Sequence, residues 1–124
     1  MGGTVRFILF GVGVWLIPFV IGMLVFPIVD PASALFDTLM SVTMSASAGG
    51  LSFLYLRGLA RPGPQDGIIA GLIWAALAVA LDAPLFLFGP FLMPAADYVA
   101  DIGLGYLMIP VIAGFMGLGM RRPA

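Results

Sequence analysis

The sequence predicts an all-α fold: a polytopic membrane protein with four transmembrane helices that form two consecutive helical hairpins. Composition supports this, since 62% of the 124 residues are hydrophobic and only 9% are charged. The pattern supports it too, because four apolar stretches approach the roughly 20 residues that a helix needs to cross a bilayer core. Short turns and loops rich in proline and glycine separate the stretches. Each hairpin is therefore expected to lie within the membrane.

The four helices belong to one predicted domain, a four-helix bundle that spans residues 1–124. We expect them at about 7–29, 37–56, 67–88 and 98–120. Pro18 and Pro110 fall inside the first and the fourth segment. Because proline removes a backbone hydrogen bond, both helices are expected to kink at these positions.

The arginines indicate the orientation of the chain. All of them lie near the N-terminus, in the loop between the two hairpins, or at the C-terminus, namely Arg6, Arg57, Arg61, Arg121 and Arg122. An even number of spans places these regions on one side, and the positive-inside rule makes that side cytoplasmic. The use of arginine without any lysine is typical of GC-rich bacterial coding. We therefore expect a protein of the bacterial inner membrane with both termini in the cytoplasm.

Five residue types are absent from the chain: His, Cys, Lys, Glu and Asn. Without His or Cys there is no ordinary ligand for haem, an iron–sulfur cluster or a transition metal. Without Lys no Schiff base can form with retinal or pyridoxal phosphate. The sequence therefore predicts no catalytic, cofactor or metal site, although a bound lipid or an apolar pigment stays open. The net charge of −1 also argues against nucleic acid as a partner.

Helix two carries more serine and threonine than the other segments. Ser41, Ser45 and Gly49 follow one another at intervals of four residues. Small residues at this spacing allow close approach of two membrane helices. We interpret them as a helix-packing face inside the bundle, which predicts that helix two is the most buried of the four. The alternative is that this face forms the wall of a polar pathway.

Asp82 is an acid inside the apolar run of helix three, and it defines the candidate polar cluster. It lies six residues before Phe88, hence roughly 9 Å below the outer end of the predicted helix. Groups at a similar depth on helices two and four, or slightly above it, are Thr43, Ser45, Asp101 and Tyr106. Because burial without a cation favours the neutral form of a carboxyl group, we expect an acid that bonds to a hydroxyl or carbonyl.

Two interpretations of Asp82 remain open. A proton- or cation-handling role is the default for an ionisable group within a membrane. The other interpretation is a polar staple that fastens helix three to helices two and four. Trp15 and Trp74 lie too deep for an interfacial aromatic belt, and we interpret both as packing residues.

The segment 97–110, together with Leu81 and Asp82, resembles small uncharacterised four-helix proteins of bacterial membranes. The resemblance covers the second half of the chain. It implies a four-helix membrane fold and no particular activity.

From these features we expect a non-catalytic integral membrane protein, an accessory subunit that packs against other membrane proteins, lipids or itself. The loops between the helices are too short to hold an extramembrane domain. The alternative is a small oligomeric transporter or channel that uses Asp82 for proton or cation coupling. An enzyme is disfavoured, because Asp, Ser, Thr and Tyr rarely form a catalytic site without His, Lys, Cys or a metal.

Overall fold

Long apolar helices make up most of the chain in the computed structural model. The structure describes residues 2–30, 32–86, 88, 94, 96–98 and 102–120. The helices are α1 (Gly2–Val25), α2 (Ala34–Arg57), α3 (Pro64–Phe86) and α4 (Met108–Met120), with a 3-10 helix at Gly103–Leu107 before α4. No strand occurs within the described residues. The predicted all-α class is confirmed.

Within the described residues, four segments are long and apolar enough to cross a membrane, as expected of an integral membrane protein. They are Gly3–Val25, Ala34–Arg57, Pro64–Phe86 and Gly103–Met120. The second begins three residues before its predicted start because Ser33 caps it. The Ser33 hydroxyl accepts a hydrogen bond from the Phe36 N–H at 3.2 Å and satisfies one of the free donors of the first turn.

The fourth span departs from the predicted continuous helix at 98–120. Its α-helical part begins at Met108 and has 13 residues, and the 3-10 helix before it has five. At about 1.5 Å and 2.0 Å per residue, these two pieces together reach about 30 Å, the thickness of a bilayer core. Pro110 lies in the first turn of α4, where a missing N–H costs little. The predicted mid-helix kink at Pro110 is therefore replaced by a change of helix type before Met108.

The four helices form a ring in which α1 lies beside α2 and α3, and α4 lies beside the same two helices. α2 and α3 face each other diagonally and scarcely touch. Successive spans cross the bundle in opposite directions. α1 and α3 therefore run parallel to each other, as do α2 and α4. Each hairpin is therefore packed side by side with the other.

The closest approach in the bundle is between α3 and α4, and glycines make it possible. A Cβ atom at Gly67 would collide with the backbone of Ala113, and one at Gly71 with the backbone of Pro110. A Cβ at Gly117 of α4 would meet the backbone of Gly63. Gly67 and Gly71 lie four residues apart, the spacing that allows membrane helices to come into backbone contact. The small-residue interface therefore belongs to α3 and α4.

The prediction that helix two is the most buried is wrong. The structure buries seven residues of α3 and five of the shorter α4, but four of α2. Ser41 and Ser45 are exposed, while Gly49 is half-buried. A Cβ atom added at Gly49 would lie 3.7 Å from the side chain of Ile112 of α4, an ordinary contact distance. The predicted packing face of α2 thus lies at the margin of its contact with α4. Glycine allows closer approach than serine, and the glycines of the tightest interface belong to α3 and α4.

An aromatic cluster of Phe7, Phe10, Tyr55 and Trp74 fills the half of the bundle in which α1 begins and α2 ends, and Trp74 at its centre is fully buried. Its indole N–H donates to the carbonyl of Phe7 at 3.0 Å. Arg6 lies above this cluster and donates to the carbonyls of Leu54 and Tyr55 at 2.8 and 3.2 Å. A cation at the last carbonyls of a helix satisfies free acceptors and complements the helix dipole. Arg6 therefore fastens the start of α1 to the end of α2.

We expect Gly71→Ala to destabilise the protein by about 1–3 kcal/mol, the usual cost of overpacking a close contact. Gly50→Ala in α2 is the matched control, since nothing lies within 4 Å of its added Cβ. That substitution should be neutral or slightly stabilising, because alanine favours a helix more than glycine does. Thermal unfolding of both variants in the same detergent compares them, and equal stability of the two would contradict the α3–α4 interface.

Candidate functional site

Asp82 lies near the end of α3 and is almost completely enclosed, with 1% of its surface exposed. Three side chains donate hydrogen bonds to its two carboxyl oxygens. The Trp15 indole N–H donates to Oδ1 at 2.6 Å. The Tyr98 hydroxyl donates to Oδ2 at 2.8 Å, and the Tyr106 hydroxyl donates to the same oxygen. Asp82 and these three donors are called the Asp82 cluster below.

The donors of the Asp82 cluster come from two different parts of the fold. Trp15 belongs to α1, where its ring stacks on Phe19 with 4.9 Å between the ring centroids. Tyr98 precedes the fourth span, and its ring lies 5.7 Å from that of Phe86. Tyr106 belongs to the 3-10 helix, and both tyrosines are buried. The cluster therefore ties α1, α3 and the beginning of the fourth span together.

The chemistry of the donors determines how the carboxyl group is used. An indole N–H can only donate, so Oδ1 is an acceptor in this arrangement. Two phenols share Oδ2, and an ionised carboxylate can accept all three bonds with its four lone-pair positions. If the group carries a proton, that proton belongs on Oδ2, between the two tyrosines. The sequence-based expectation of a neutral acid stays a prediction.

Tyr98 lies outside the four membrane-spanning segments, between the third and the fourth, and its phenol is kept protonated by its surroundings. Burial raises the pKa of this phenol above its ordinary value, and its hydrogen bond to Asp82 raises it further. Tyr98 therefore acts as a donor to Asp82 throughout the neutral pH range.

The structure brings one predicted partner to Asp82, which is Tyr106. Thr43 instead donates to the carbonyl of Leu39 in its own helix at 2.8 Å. Ser45 is exposed and donates to the sulfur of Met108 at 3.3 Å. Asp101 lies outside the described residues. From the sequence, helix two is expected beside helix three, whereas α1 occupies that place and α2 lies diagonally opposite.

Sequence reasoning missed two of the three donors, Trp15 and Tyr98. The signal for Trp15 was present, because an indole deep within a membrane helix needs an acceptor for its N–H. In the structure, Asp82 on a span that runs in the same direction supplies that acceptor. Tyr98 carries no comparable signal, since the sequence predicts it at the start of helix four, whereas it lies before the fourth span and contacts Asp82 and Phe86 of α3.

Two further polar groups are buried within the bundle, the hydroxyls of Ser47 and Ser52 of α2. Neither has a hydrogen-bond partner within the described residues. In the same part of the chain, no group of three or more His, Cys, Asp or Glu side chains is placed to hold a metal ion. Asp82 is thus the buried polar group with the most complete set of contacts.

Comparison with known proteins gives no relative: no family model, no curated protein and no solved structure matches the chain.

We expect Trp15→Phe to destabilise the protein by about 1–3 kcal/mol, because it leaves Oδ1 of Asp82 buried without a donor. The same change in an Asp82→Leu background is the control, since the bond is already absent there and the cost should be smaller. Equilibrium unfolding of the wild type, the two single variants and the double variant measures the coupling. Identical costs in the two backgrounds would show that the indole contributes packing alone.

Proposed function

We propose that this chain is a non-catalytic integral membrane protein of the bacterial inner membrane, where it serves as an accessory or structural subunit. The observation that carries the proposal is the Asp82 cluster. Its acid is enclosed by donors from the same chain, and both of its oxygens are in use. A buried acid whose hydrogen bonds are all made within the chain is better suited to holding helices together than to binding and releasing ions.

The short connection between the hairpins also supports this proposal. α2 ends at Arg57 and α3 begins at Pro64, so residues 58–63 form the whole link. A loop of this length holds no domain that could catalyse or signal outside the membrane. Contacts through the membrane-embedded helix surfaces are therefore the means by which the chain would act.

The outer face of α2 is the surface on which we propose that a partner helix packs. Thr38, Ser41 and Ser45 are exposed and lie on one side of this helix. Hydroxyl-bearing and small side chains gain little from lipid tails, whereas another helix can approach them closely and bond to them. The neighbouring faces present large apolar side chains to the membrane, such as Leu9 and Leu24 of α1. We therefore place other membrane protein subunits, or a second copy, against α2.

A second candidate function is transport coupled to Asp82, and one observation favours it. The fourth span changes from a 3-10 helix to an α-helix next to Tyr106, which donates a hydrogen bond to Asp82. In transporters, interrupted membrane helices commonly surround the ion and substrate sites. The complete set of donors around Asp82 makes this candidate weaker than the subunit.

The proposed orientation has both termini and the loop 58–63 in the cytoplasm, because the arginines gather there. The chain has no cysteine, so single cysteines can be placed at will, for instance at Gly2, Gln65 or Pro123. In intact cells, all three should resist an impermeant thiol reagent. A cysteine at Ala32, which is exposed in the turn between α1 and α2, is the control on the other side and should be labelled. Labelling at any of the other three positions would contradict this orientation.

The proposed function is tested by purifying the protein from its native membrane in a mild detergent. We expect another membrane protein to co-elute at a fixed ratio. Ser45→Leu should reduce that co-elution several-fold while the chain itself stays folded, because the side chain is exposed within the monomer. Leu9→Ile on α1, where the exposed side chain is already large and apolar, is the matched control and should leave the ratio unchanged.

Reconstitution into proteoliposomes decides between the two candidates. We expect no proton or cation flux from the wild type, and we expect Asp82→Asn to fold, since an amide can still accept from Trp15 and a tyrosine. Flux by the wild type that disappears in a folded Asp82→Asn variant would contradict the subunit and establish transport.

A further inference from the structure

A groove runs along the outside of the bundle between α3 and α4. It has a volume of about 350 Å³ and opens toward the membrane. Its walls are the apolar side chains of Pro64 and Ile68 on α3 and of Pro110, Val111, Phe115 and Leu118 on α4. The groove therefore offers an occupant apolar contact and no hydrogen bond from a side chain.

The groove owes its shape to the close glycine contacts between α3 and α4. Gly114 leaves its floor without a side chain, and a Cβ atom there would lie 2.8 Å from the side chain of Ile68. The lining residues of α4 extend from Pro110 to Leu118, a rise of about 12 Å along the helix. A long and narrow apolar groove fits a hydrocarbon chain better than a compact molecule.

One end of the groove lies where the loop 58–63 leads into α3. Gly63 of this loop contacts Gly117 of α4, beside the lining residues Pro64 and Leu118. Arg61 comes three residues before Pro64, so its Cα lies within about 11 Å of that lining residue even in a fully extended chain. The exposed side chain of Arg61 can therefore reach the mouth of the groove.

Arg61 also differs from the other arginines in the described part of the chain. Arg6 donates to two carbonyls of α2, and the guanidinium of Arg57 lies 5.8 Å from the centroid of the Phe53 ring. Within the same residues, Arg61 has neither a hydrogen bond nor a ring contact of this kind. Its positive charge is thus available to a group from outside the chain.

Asp66 is the acid nearest to this end of α3, and it does not neutralise Arg61. Its carboxyl group accepts from the N–H of Gly63 at 3.0 Å and so caps its own helix. At about 100° of rotation per residue, Asp66 lies on the opposite side of α3 from the lining residues Pro64 and Ile68. No ion pair joins Asp66 to Arg61 within the described residues. The mouth of the groove therefore keeps a positive charge.

We propose that the groove between α3 and α4 binds an anionic phospholipid, with one acyl chain along the groove and the phosphate at Arg61. A guanidinium pairs with phosphate through two parallel hydrogen bonds, and basic pockets between membrane helices bind anionic headgroups. The site goes beyond the proposed subunit role and does not depend on it, because it takes a lipid on α3 and α4 rather than a protein on α2.

The lipid site is tested by native mass spectrometry of the full chain in detergent. The probes are dioleoyl phosphatidylglycerol, which is anionic, and dioleoyl phosphatidylcholine, which has the same acyl chains without a net charge. We expect one bound phosphatidylglycerol per chain, retained several-fold more than phosphatidylcholine. Glycerol phosphate, which has the charge without the acyl chain, should not displace it.

Two pairs of variants separate the headgroup from the acyl chain. Arg61→Gln should remove the preference for phosphatidylglycerol, whereas Arg57→Gln, which removes the same charge at the end of α2, should keep it. Val111→Trp fills the groove and should lower the retention of both lipids several-fold. Val20→Trp on α1 is the matched control and should have no effect, and both valines are exposed, so the larger ring leaves the core undisturbed.

Four outcomes would each overturn the lipid site. They are equal retention of the two lipids by the wild type, an Arg61→Gln variant identical to the wild type, a Val111→Trp variant identical to the wild type, and protein dimers in place of lipid adducts. Co-elution with a partner protein is measured separately, so failure of the lipid site leaves the proposed function in place.

Discussion

A carboxyl group inside a membrane-spanning helix is the constraint on which the rest of this structure depends. Hydrocarbon offers no hydrogen bonds, so the fold must supply partners for Asp82 from its own side chains. It does so by setting α1 beside α3 and by placing Tyr98 and Tyr106 against the end of α3. The order of the helices around the ring and the interruption of the fourth span are both consistent with this requirement.

The bundle combines this polar centre with two different kinds of packing. Glycines bring α3 and α4 into backbone contact, while bulky aromatic rings fill the space between α1, α2 and α3. Gly11 belongs to the second kind, because a Cβ there would lie 2.6 Å from the Trp74 ring. Backbone contact between α3 and α4 therefore sets the separation of the helices in the second hairpin. The aromatic rings fill the wider space between this hairpin and the first.

The sequence was sufficient for the fold class and for Asp82, because hydrophobicity and a lone acid are visible without any coordinates. It was insufficient for the neighbours of Asp82, since a ring of four helices can be connected in more than one order and local pattern does not choose among them. Serine spacing in α2 was mistaken for the tightest interface, whereas Gly67 and Gly71 form it. Tyr98 and the 3-10 helix depend on tertiary contacts with α3, which no local propensity records.

The order in which the cluster residues occur along the chain has a consequence for biosynthesis. Trp15 is made first, Asp82 follows, and Tyr98 and Tyr106 emerge from the ribosome afterwards. When α3 is made, Trp15 is therefore the one donor to Asp82 in the Asp82 cluster that has already been synthesised. One of the three donors to Asp82 thus precedes the acid along the chain, and the set is complete only after Tyr106 has been made.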